Sequence, residues 1–366
     1  MCLCPVSLTR ECCGKKYTAF VPCGVCEECI KDKQNEYVIR TVEESRKKGN
    51  PWFITLTYNE SNVPFVIDEY DGELLEDSDY FVDKESGNII ENLRELNSED
   101  IKLWKKRVKM RIERKFKKKL DFSYLICGEY GPATHRPHYH GILLGLTDEE
   151  VHMFEQDWNQ HYGFSCFKKI NITEVDRVAA YVAKYIVKMP SLEYDKVAEG
   201  AVKKPHKITS IGYGMPTKKR FDALRRDVLG SLVSELDFDS LRGINPLILD
   251  KEIKKITHKK KYKLNGREYK LPAYYWQRLT YVKDTLTGKV RSSKLSDMVS
   301  KASQSKIQRE FVEKCIEMAN REHCPEDYES YRFVAKSVCD TEKMEREARR
   351  KTILETNIAS LRKSKF

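Results

Sequence analysis

The sequence contains no long apolar run. Across its 366 residues, no stretch approaches the roughly 20 consecutive apolar residues that a membrane-spanning helix needs, so we expect no membrane contact. The first residues, Met-Cys-Leu-Cys-Pro, also lack the basic flank and apolar core of a secretory signal. Internal repeats and low-complexity segments are absent as well. We therefore expect an intracellular globular protein of two to three domains.

Acidic residues are too few to balance the basic ones, and the imbalance is local. The chain has 67 Lys and Arg against 56 Asp and Glu, a formal net charge of +11, and residues 101–120 alone hold 11 basic residues and one acid. In this segment apolar residues recur at steps of three and four, as in an amphipathic helix with one buried side: Ile101, Trp104, Val108, Ile112 and Phe116. A helix face of one charge sign repels itself unless an anion lies over it, which favours nucleic acid binding over a merely solvated face.

Cysteines are crowded at the N-terminus, where seven of the 12 fall within the first 29 residues. Cys23, Cys26 and Cys29 are separated by two residues each, a spacing that lets three thiolates converge on one ion. A tetrahedral zinc needs a fourth ligand, and the candidates are the preceding cysteines, Cys2, Cys4, Cys12 and Cys13, of which we choose Cys4. Free reduced thiols and an iron–sulfur cluster are the alternatives.

Strand and helix patterns alternate through the middle of the chain. Residues 52–58 are aromatic and β-branched, as in a strand, and from there to residue 190 the patterns follow the order strand, helix, strand, strand, helix, strand, helix. This order predicts an α+β fold in which helices pack on one face of an antiparallel sheet. We divide the chain into a Cys-rich segment, a central domain with an acidic insertion at 60–98, and a basic, partly helical C-terminal region, with the boundaries 1–49, 50–190 and 191–366.

A pair of histidines marks a candidate metal site. His138 and His140 are two residues apart in a predicted strand, so their side chains share one face of the sheet. Glu129 follows a strand that we expect to pair with the histidine strand, in a Gly-Glu-Tyr-Gly turn, where its carboxylate can become a third ligand. Two imidazoles and one carboxylate leave coordination positions open for phosphate or water, as a catalytic ion requires. The alternative is a polar surface pair with no ion.

A pair of tyrosines marks a candidate nucleophile. Tyr181 and Tyr185 are four residues apart on a predicted helix and therefore share a face, with Lys184 beside them. The alternative is a helix that buries both rings in the core. Neighbouring alanines and valines already supply enough apolar surface to seat this helix, so the tyrosines are not needed for that purpose.

These motifs resemble those of HUH endonucleases. Residues 138–140 are similar to the histidine–hydrophobic–histidine element, residues 53–57 to the first motif, and residues 181–185 to the two-tyrosine motif of rolling-circle replication initiators. The pattern is most similar to the replication initiators of gokushovirus-type microviruses, which are small single-stranded DNA bacteriophages. The similarity also covers other short segments in the same order, 21–29, 128–131, 136–140 and 265–275. The acidic insertion and the C-terminal tail have no clear counterpart in the family.

The resemblance implies both a fold and a reaction. The fold would be the ferredoxin-like or RRM-like HUH endonuclease fold. Tyr181 would attack the scissile phosphate of one strand at the origin of a circular phage genome, forming a 5′-phosphotyrosine link and releasing a 3′-OH that primes synthesis. Tyr185 would act on the regenerated origin, after which the displaced strand is closed. Glu129, His138 and His140 would hold Mg²⁺ or Mn²⁺, because phosphate oxygens with mixed His and Glu ligation favour these ions.

The resemblance also implies DNA contacts, partners and a location. Lys184 would offset charge in the transition state, and Lys105, Lys106, Lys109 and Arg136 would contact DNA. The substrate would be single-stranded or locally melted origin DNA. The expected partners are a host replication helicase and polymerase, and the expected location is the host bacterial cytoplasm.

Two other interpretations stay open at this point. The first is a zinc-containing DNA-binding regulator without enzymatic activity, which would use the N-terminal cysteines and the basic helix and bury both tyrosines. The second is a plasmid-type relaxase or transposase with the same site, although such enzymes usually show a third histidine or a lone tyrosine. Only the enzymes would form a covalent adduct with DNA.

Overall fold

The computed structural model describes residues 6–12, 15–24, 27–65, 72–74, 80–83, 89–91, 94–131, 136–187, 203–233, 244–283 and 290–303, and the single residues 288, 309 and 313. They form two compact units, one of residues 33–221 and the other of residues 1–32 with 222–366. The boundaries predicted after residues 49 and 190 stay predictions. In the described ranges, every helix is too short or too polar to span a lipid bilayer.

Strands and helices alternate along the chain. The strands are β1 (Val6–Cys12), β2 (Lys15–Val21), β3 (Trp52–Tyr58), β4 (Gly72–Leu74), β5 (Tyr80–Asp83), β6 (Ile89–Glu91), β7 (Ser123–Tyr130), β8 (Pro137–Leu144), β9 (Gly163–Lys169), β10 (Lys207–Thr209), β11 (Lys261–Leu264), β12 (Arg267–Lys270), β13 (Tyr281–Lys283) and β14 (Val290–Ser292). The helices are α1 (Glu27–Lys48), α2 (Ser98–Phe116), α3 (Asp148–His161), α4 (Val175–Val187), α5 (Lys218–Leu229), α6 (Pro246–Lys259) and α7 (Ala273–Thr280).

The central sheet has five strands in the order β10-β7-β8-β3-β9, and every neighbouring pair is antiparallel. The predicted α+β architecture with an antiparallel sheet is therefore confirmed. The predicted order of elements from β3 to α4 is confirmed outside the 60–98 insertion, where the structure adds strands β4, β5 and β6. Strands β7, β8 and β3 are the inner strands of this sheet, so each of them is paired along both edges.

One face of the sheet packs against α2 and α3. Ile54, Leu56 and Tyr58 alternate along β3 toward this face and belong to its core. The apolar stripe predicted for α2 lies in the same core, where the Trp104 indole nitrogen donates a hydrogen bond to the Phe154 carbonyl of α3 at 3.0 Å. This burial seats the basic helix on the sheet and turns its charged residues outward.

The other face of the sheet is also covered by helices, which corrects the prediction that helices lie on one face only. The Ser123 hydroxyl of β7 donates a hydrogen bond to Glu44 of α1 at 2.7 Å. Helix α4 contacts this same face, where Tyr181 packs edge-on against Phe53 of β3. The reason is visible in residues 141–144 of β8, which are buried without alternation, as in a strand covered on both faces.

The smaller elements lie outside the central sheet. The Cys-rich segment forms an antiparallel hairpin, β1–β2, which the cysteine pattern did not predict, and the acidic insertion contains the three-stranded sheet β4-β5-β6. In the C-terminal part, hairpin β11–β12 lies between α6 and α7 in sequence, and the Lys260 ammonium is 3.9 Å from the centre of the Trp276 ring. Burial, with repulsion from Lys270, lowers the pKa of Lys260 to about 8.

The basic helix α2 is partly neutralised by acids of α3. The fully buried Asp157 carboxylate accepts hydrogen bonds from the Arg107 Nε and Nη2 atoms at 2.5–3.1 Å and from Arg111 Nη1 at 3.0 Å. Further along, Lys115 pairs with Glu149 and Lys118 with Glu150. One side of the basic face therefore has protein partners.

The ion pairs of Asp157 with Arg107 and Arg111 lead to a stability prediction. Arg107→Ala should lower the free energy of unfolding by about 2 kcal/mol, because it leaves the buried Asp157 carboxylate with one arginine instead of two. Arg111→Ala should cost less than about 1 kcal/mol, since the two-pronged Arg107 contact stays in place. Urea unfolding measures both, with exposed Arg114→Ala as the control. Equal losses for all three variants would contradict the prediction.

Candidate metal and nucleophile site

The pairing of β7 with β8 brings the three predicted metal ligands together. Its register places Glu129 directly opposite His138, and Cys127 opposite His140. Glu129 lies inside β7 and not in a turn after it, which corrects the prediction for this segment. The strand continues to Tyr130 because that ring is buried, with its hydroxyl donating to the Lys203 carbonyl at 2.8 Å.

The ligand atoms of the three side chains converge. One ligand atom from each of Glu129, His138 and His140 lies within 4.8 Å of the other two. The Glu129 Oε1 atom is 2.8 Å from His138 Nε2 and 3.4 Å from His140 Nε2. The carboxylate is buried and the imidazoles are partly exposed, so the cluster lies at the surface of this face of the sheet and is reachable from solvent.

Neighbouring groups orient both imidazoles. His138 Nδ1 is 3.1 Å from the Arg136 carbonyl oxygen, and His140 Nδ1 is 3.0 Å from the Thr55 hydroxyl. A carbonyl can only accept, so the Nδ1 atom of His138 donates to it and the Nε2 atom faces the Glu129 carboxylate at 2.8 Å. Either a proton or a cation between Nε2 and the carboxylate oxygen accounts for this short distance. One carboxylate and two imidazoles form a ligand set that fits a divalent cation.

Cys127 lies beneath the cluster and is a poor ligand candidate. Burial raises the pKa of its thiol to about 12, an effect to which the charge of Glu129 adds and from which that of Lys207 subtracts. Among the described residues, the ligand atoms that converge are those of Glu129, His138 and His140, and the Cys127 thiol is not one of them.

Helix α4 carries Tyr181 to the candidate metal cluster, beside His140. The helix buries Val175, Ala179, Val182 and Ala183. Tyr181 points away from that side and is 45% exposed, which contradicts the alternative in which this ring is buried. Its ring centre is 6.1 Å from that of His140.

Phe53 of β3 completes a cluster of three rings. It stacks on His140 at 5.9 Å with an interplanar angle of 13°, and Tyr181 meets it edge-on at 5.7 Å. Lys184 is exposed on the same helix as Tyr181, and the side chain of Tyr185 lies outside the described residues. The structure thus brings Tyr181 next to His140, one of the three candidate ligands.

The predicted DNA-binding residues have different surroundings. Arg136 forms an ion pair with Glu60 and donates a hydrogen bond to the Tyr58 carbonyl at 3.0 Å, so its side chain has protein partners next to the cluster. Lys105 is only 8% exposed, whereas Lys106 is exposed and Lys109 is partly exposed. Contact of all four residues with DNA stays a prediction.

The predicted zinc site is described only in part. Cys23 packs against the buried Cys29, and neither thiol is in a disulfide. Cys4 and Cys26 lie outside the described residues, so the four-cysteine zinc site stays a prediction.

Thr55 belongs to the candidate site, although the sequence did not identify it as a site residue. It lies in the segment that resembles the first HUH motif, and β3 pairs with β8 so that Thr55 is directly opposite His140. Alternation along β3 places Thr55 and Thr57 on the face of the histidines, but only the strand register decides which threonine meets which imidazole.

Thr55→Val should therefore weaken binding of Mn²⁺ about tenfold, because it removes the group that orients His140 while keeping the shape of the side chain. Calorimetric titration with Mn²⁺ measures the effect. Thr57→Val is the matched control, since Thr57 lies opposite His138 on the same strand face and His138 is oriented by a backbone carbonyl. A similar loss in both variants would show that the Thr55 hydroxyl has no special role.

Comparisons with known proteins point to phage replication. Residues 51–190 match the family model of the replication-associated protein ORF2, and this range contains Glu129, His138, His140 and Tyr181. The replication-associated protein ORF4 of Chlamydia phage 1 is 22% identical over 141 residues, which cover 38% of this chain and 28% of that protein. The replication-associated protein VP4 of Bdellovibrio phage phiMH2K is 23% identical over 196 residues, which cover 50% of this chain and 54% of that protein.

The matches are partial but agree with each other. The chain spans about half or less of the length of these two relatives. No solved structure matches the chain significantly. The predicted resemblance to phage replication initiators is confirmed, since the family model and both relatives are replication-associated proteins.

Proposed function

We propose that this protein initiates rolling-circle replication of a phage genome by cutting one DNA strand at an origin and joining itself to the cut end through Tyr181. The observation that carries the proposal is the position of the Tyr181 ring, 6.1 Å from that of His140 in the candidate metal cluster. The matches to phage replication-associated proteins support replication as the setting. An antiparallel sheet with both histidines on an inner strand supports the HUH endonuclease fold.

Glu129, His138 and His140 would hold the divalent cation, for which Mg²⁺ or Mn²⁺ suits a carboxylate, imidazoles and phosphate oxygens. When bound, such an ion polarises a non-bridging phosphate oxygen and stabilises the charge that develops during attack on phosphorus. The protein contributes the orientation of the ligands, because the Arg136 carbonyl and the Thr55 hydroxyl hold the two imidazoles toward the carboxylate.

Tyr181 is the proposed first nucleophile. Its phenolic oxygen would form a bond to phosphorus while the bond between phosphorus and the 3′ oxygen breaks, and the phenolic proton would pass to the released 3′ oxygen, which becomes the 3′-OH. One phosphodiester is exchanged for another, so the strand can be rejoined without ATP. The exposure of Tyr181 lets a single strand reach it, and the Phe53 and His140 rings hold it beside the cluster.

Two further residues of α4 complete the proposed mechanism. Lys184, exposed three residues after Tyr181, would offset negative charge on the transition state. Tyr185, four residues after Tyr181, would attack the regenerated origin after one round of synthesis. Two tyrosines on one helix would allow alternating cleavage and rejoining at one metal site.

The proposed substrate is single-stranded or locally melted origin DNA, because the resemblance to rolling-circle replication initiators implies chemistry on one strand only. A host helicase and polymerase would supply unwinding and synthesis, in the host bacterial cytoplasm. A plasmid-type relaxase or transposase shares the chemistry, but the similarity to two phage replication-associated proteins favours the initiator.

A covalent-adduct experiment tests the proposal. The protein is incubated with Mn²⁺ and a set of 3′-labelled single-stranded oligonucleotides that tile the genome encoding it, and the products are separated on a denaturing gel. We expect label to migrate with the protein for the oligonucleotide that contains the origin, and the band to disappear when EDTA replaces Mn²⁺. Binding to these oligonucleotides with no adduct at any of them would favour the zinc-containing regulator.

A further inference from the structure

A lysine-lined groove lies on the face of the sheet opposite the metal cluster. Its volume is about 760 Å³, and it runs between α2, the segment that leads into β7, and the residues after β10. Five lysines line it, Lys102, Lys105, Lys106, Lys109 and Lys119, and Asp121 is its single acidic residue. We refer to this feature as the lysine groove.

The lysines of the groove differ from the other basic residues of this region in their partners. Arg107, Arg111, Lys115 and Lys118 form ion pairs with acids of α3. Within the groove, Lys102 and Lys109 pair only with acids of their own helix, whereas Lys105, Lys106 and Lys119 form no ion pair with any carboxylate in the part of the chain that the structure describes. The acid of the groove, Asp121, is itself paired with Lys48 of α1. The hydrogen bond from Lys48 lowers the pKa of the Asp121 carboxyl, and the charge of Lys119 lowers it further, so Lys119 is partly balanced and the excess positive charge of the groove lies mainly on Lys105 and Lys106.

The ammonium group of Lys105 is fixed in the groove by contacts with the protein. Its ammonium group lies 3.6 Å from the centre of the Tyr124 ring, and its side chain is largely buried. Burial, with repulsion from Lys102, lowers the pKa of Lys105 to about 8. An anion in the groove would supply the missing counter-charge and favour the protonated form.

The shape and composition of the groove fit an extended polyanion better than a single small anion. The five lysines are spread along α2 and onto the segment after it, so several separated phosphates can be contacted at once. Ile211 is fully exposed at the edge, and Phe122 also lines the groove, so bases can contact apolar surface there.

The groove is separate from the proposed chemistry. Tyr124 and Glu129 are five positions apart on β7 and point to opposite faces, which corresponds to roughly 17 Å along the strand. A phosphate in the groove therefore cannot be the one at the metal cluster.

We propose that the lysine groove is a second DNA-binding site, which holds the phosphate backbone of a single strand away from the cleavage site without regard to sequence. The inference rests on the proposed function in one respect, namely that the polyanion is DNA. The lysine groove would raise the affinity of the protein for DNA and would take no part in the cleavage chemistry.

A pair of double variants tests the inference. Lys106→Gln with Lys119→Gln removes two exposed charges from the groove, whereas Lys115→Gln with Lys117→Gln removes two exposed charges from the same region outside it. Binding of a labelled oligo-dT strand by the full chain is measured by fluorescence anisotropy in EDTA over a range of salt concentrations. Thermal unfolding of both variants verifies that each is folded.

We expect the groove variant to bind about tenfold more weakly at 0.1–0.15 M salt and its salt dependence, the slope of log K against log salt, to fall by about 1.4. The control variant should bind as the unchanged protein does. Equal weakening in both variants, or weakening in neither, would overturn the inference, as would tighter binding of a poly-glutamate peptide than of the DNA strand. The assay uses neither metal nor origin sequence, so a failure of the nicking proposal would leave its result unaffected.

Discussion

Tyr181→Phe should abolish the covalent protein–DNA adduct on a single-stranded origin oligonucleotide. The substitution removes only the hydroxyl that would attack phosphorus and keeps the ring that packs against Phe53 and His140, so the fold and the metal cluster should be unchanged. A 3′-labelled oligonucleotide and a denaturing gel measure the adduct, and we expect no band above background.

Tyr185→Phe is the matched control, because it removes the same group one helical turn away. This variant should form the first adduct and fail in the later rejoining of strands. An adduct of undiminished yield in Tyr181→Phe, with its loss in Tyr185→Phe, would assign the first attack to Tyr185. If neither single variant loses the adduct, the double variant Tyr181→Phe with Tyr185→Phe decides the matter: loss there would show that either tyrosine can attack, and an adduct there would place the nucleophile outside α4.

His138→Ala should reduce nicking by roughly a thousandfold or more and leave affinity for DNA within a fewfold of the unchanged protein. The imidazole supplies one of three candidate ligand atoms, 2.8 Å from the Glu129 carboxylate, and two remaining ligands would hold a divalent cation poorly. Nicking is followed under single-turnover conditions over a range of Mn²⁺ concentrations, and DNA binding is followed by anisotropy in EDTA.

His152→Ala is the control for the histidine substitution. His152 lies exposed on α3, on the opposite side of the sheet from the cluster, and its substitution should change neither nicking nor binding. If His138→Ala lowers DNA affinity as much as it lowers nicking, the cluster has a role in folding or in DNA binding and not in the cleavage chemistry. If His138→Ala nicks normally in Mn²⁺, the cluster is not the metal site of the reaction.

The two faces of the central sheet have different proposed roles. The face under α1 and α4 carries the candidate metal cluster and Tyr181, where a phosphate would be cut and rejoined. The face under α2 and α3 carries the main core and the lysine groove, where a strand would be held. Separate sites for DNA binding and for cleavage would allow the protein to stay bound to the DNA while one DNA segment replaces another at the candidate metal cluster.

Several features followed from the sequence because they depend on short-range spacing. The period of two along β8 places His138 and His140 on one face, and the helical period in α2 predicts the buried stripe that contains Trp104 and Val108. Outside the 60–98 insertion, the order of elements from β3 to α4 was predictable for the same reason, since each element has its own local pattern.

Other features were decided only by contacts between distant segments. The register of β7 against β8 placed Glu129 inside a strand and opposite His138, and the register of β3 against β8 made Thr55 the partner of His140. Burial on both faces of the inner strands required helices on both sides. Acids of α3 neutralised one side of α2 and did not reach the lysines of the groove, because the ion pairs of a helix depend on which element packs beside it. The sequence alone therefore determined which side chains lie on a common face within each element, whereas tertiary packing determined which elements meet, since that depends on pairing and burial across the whole unit.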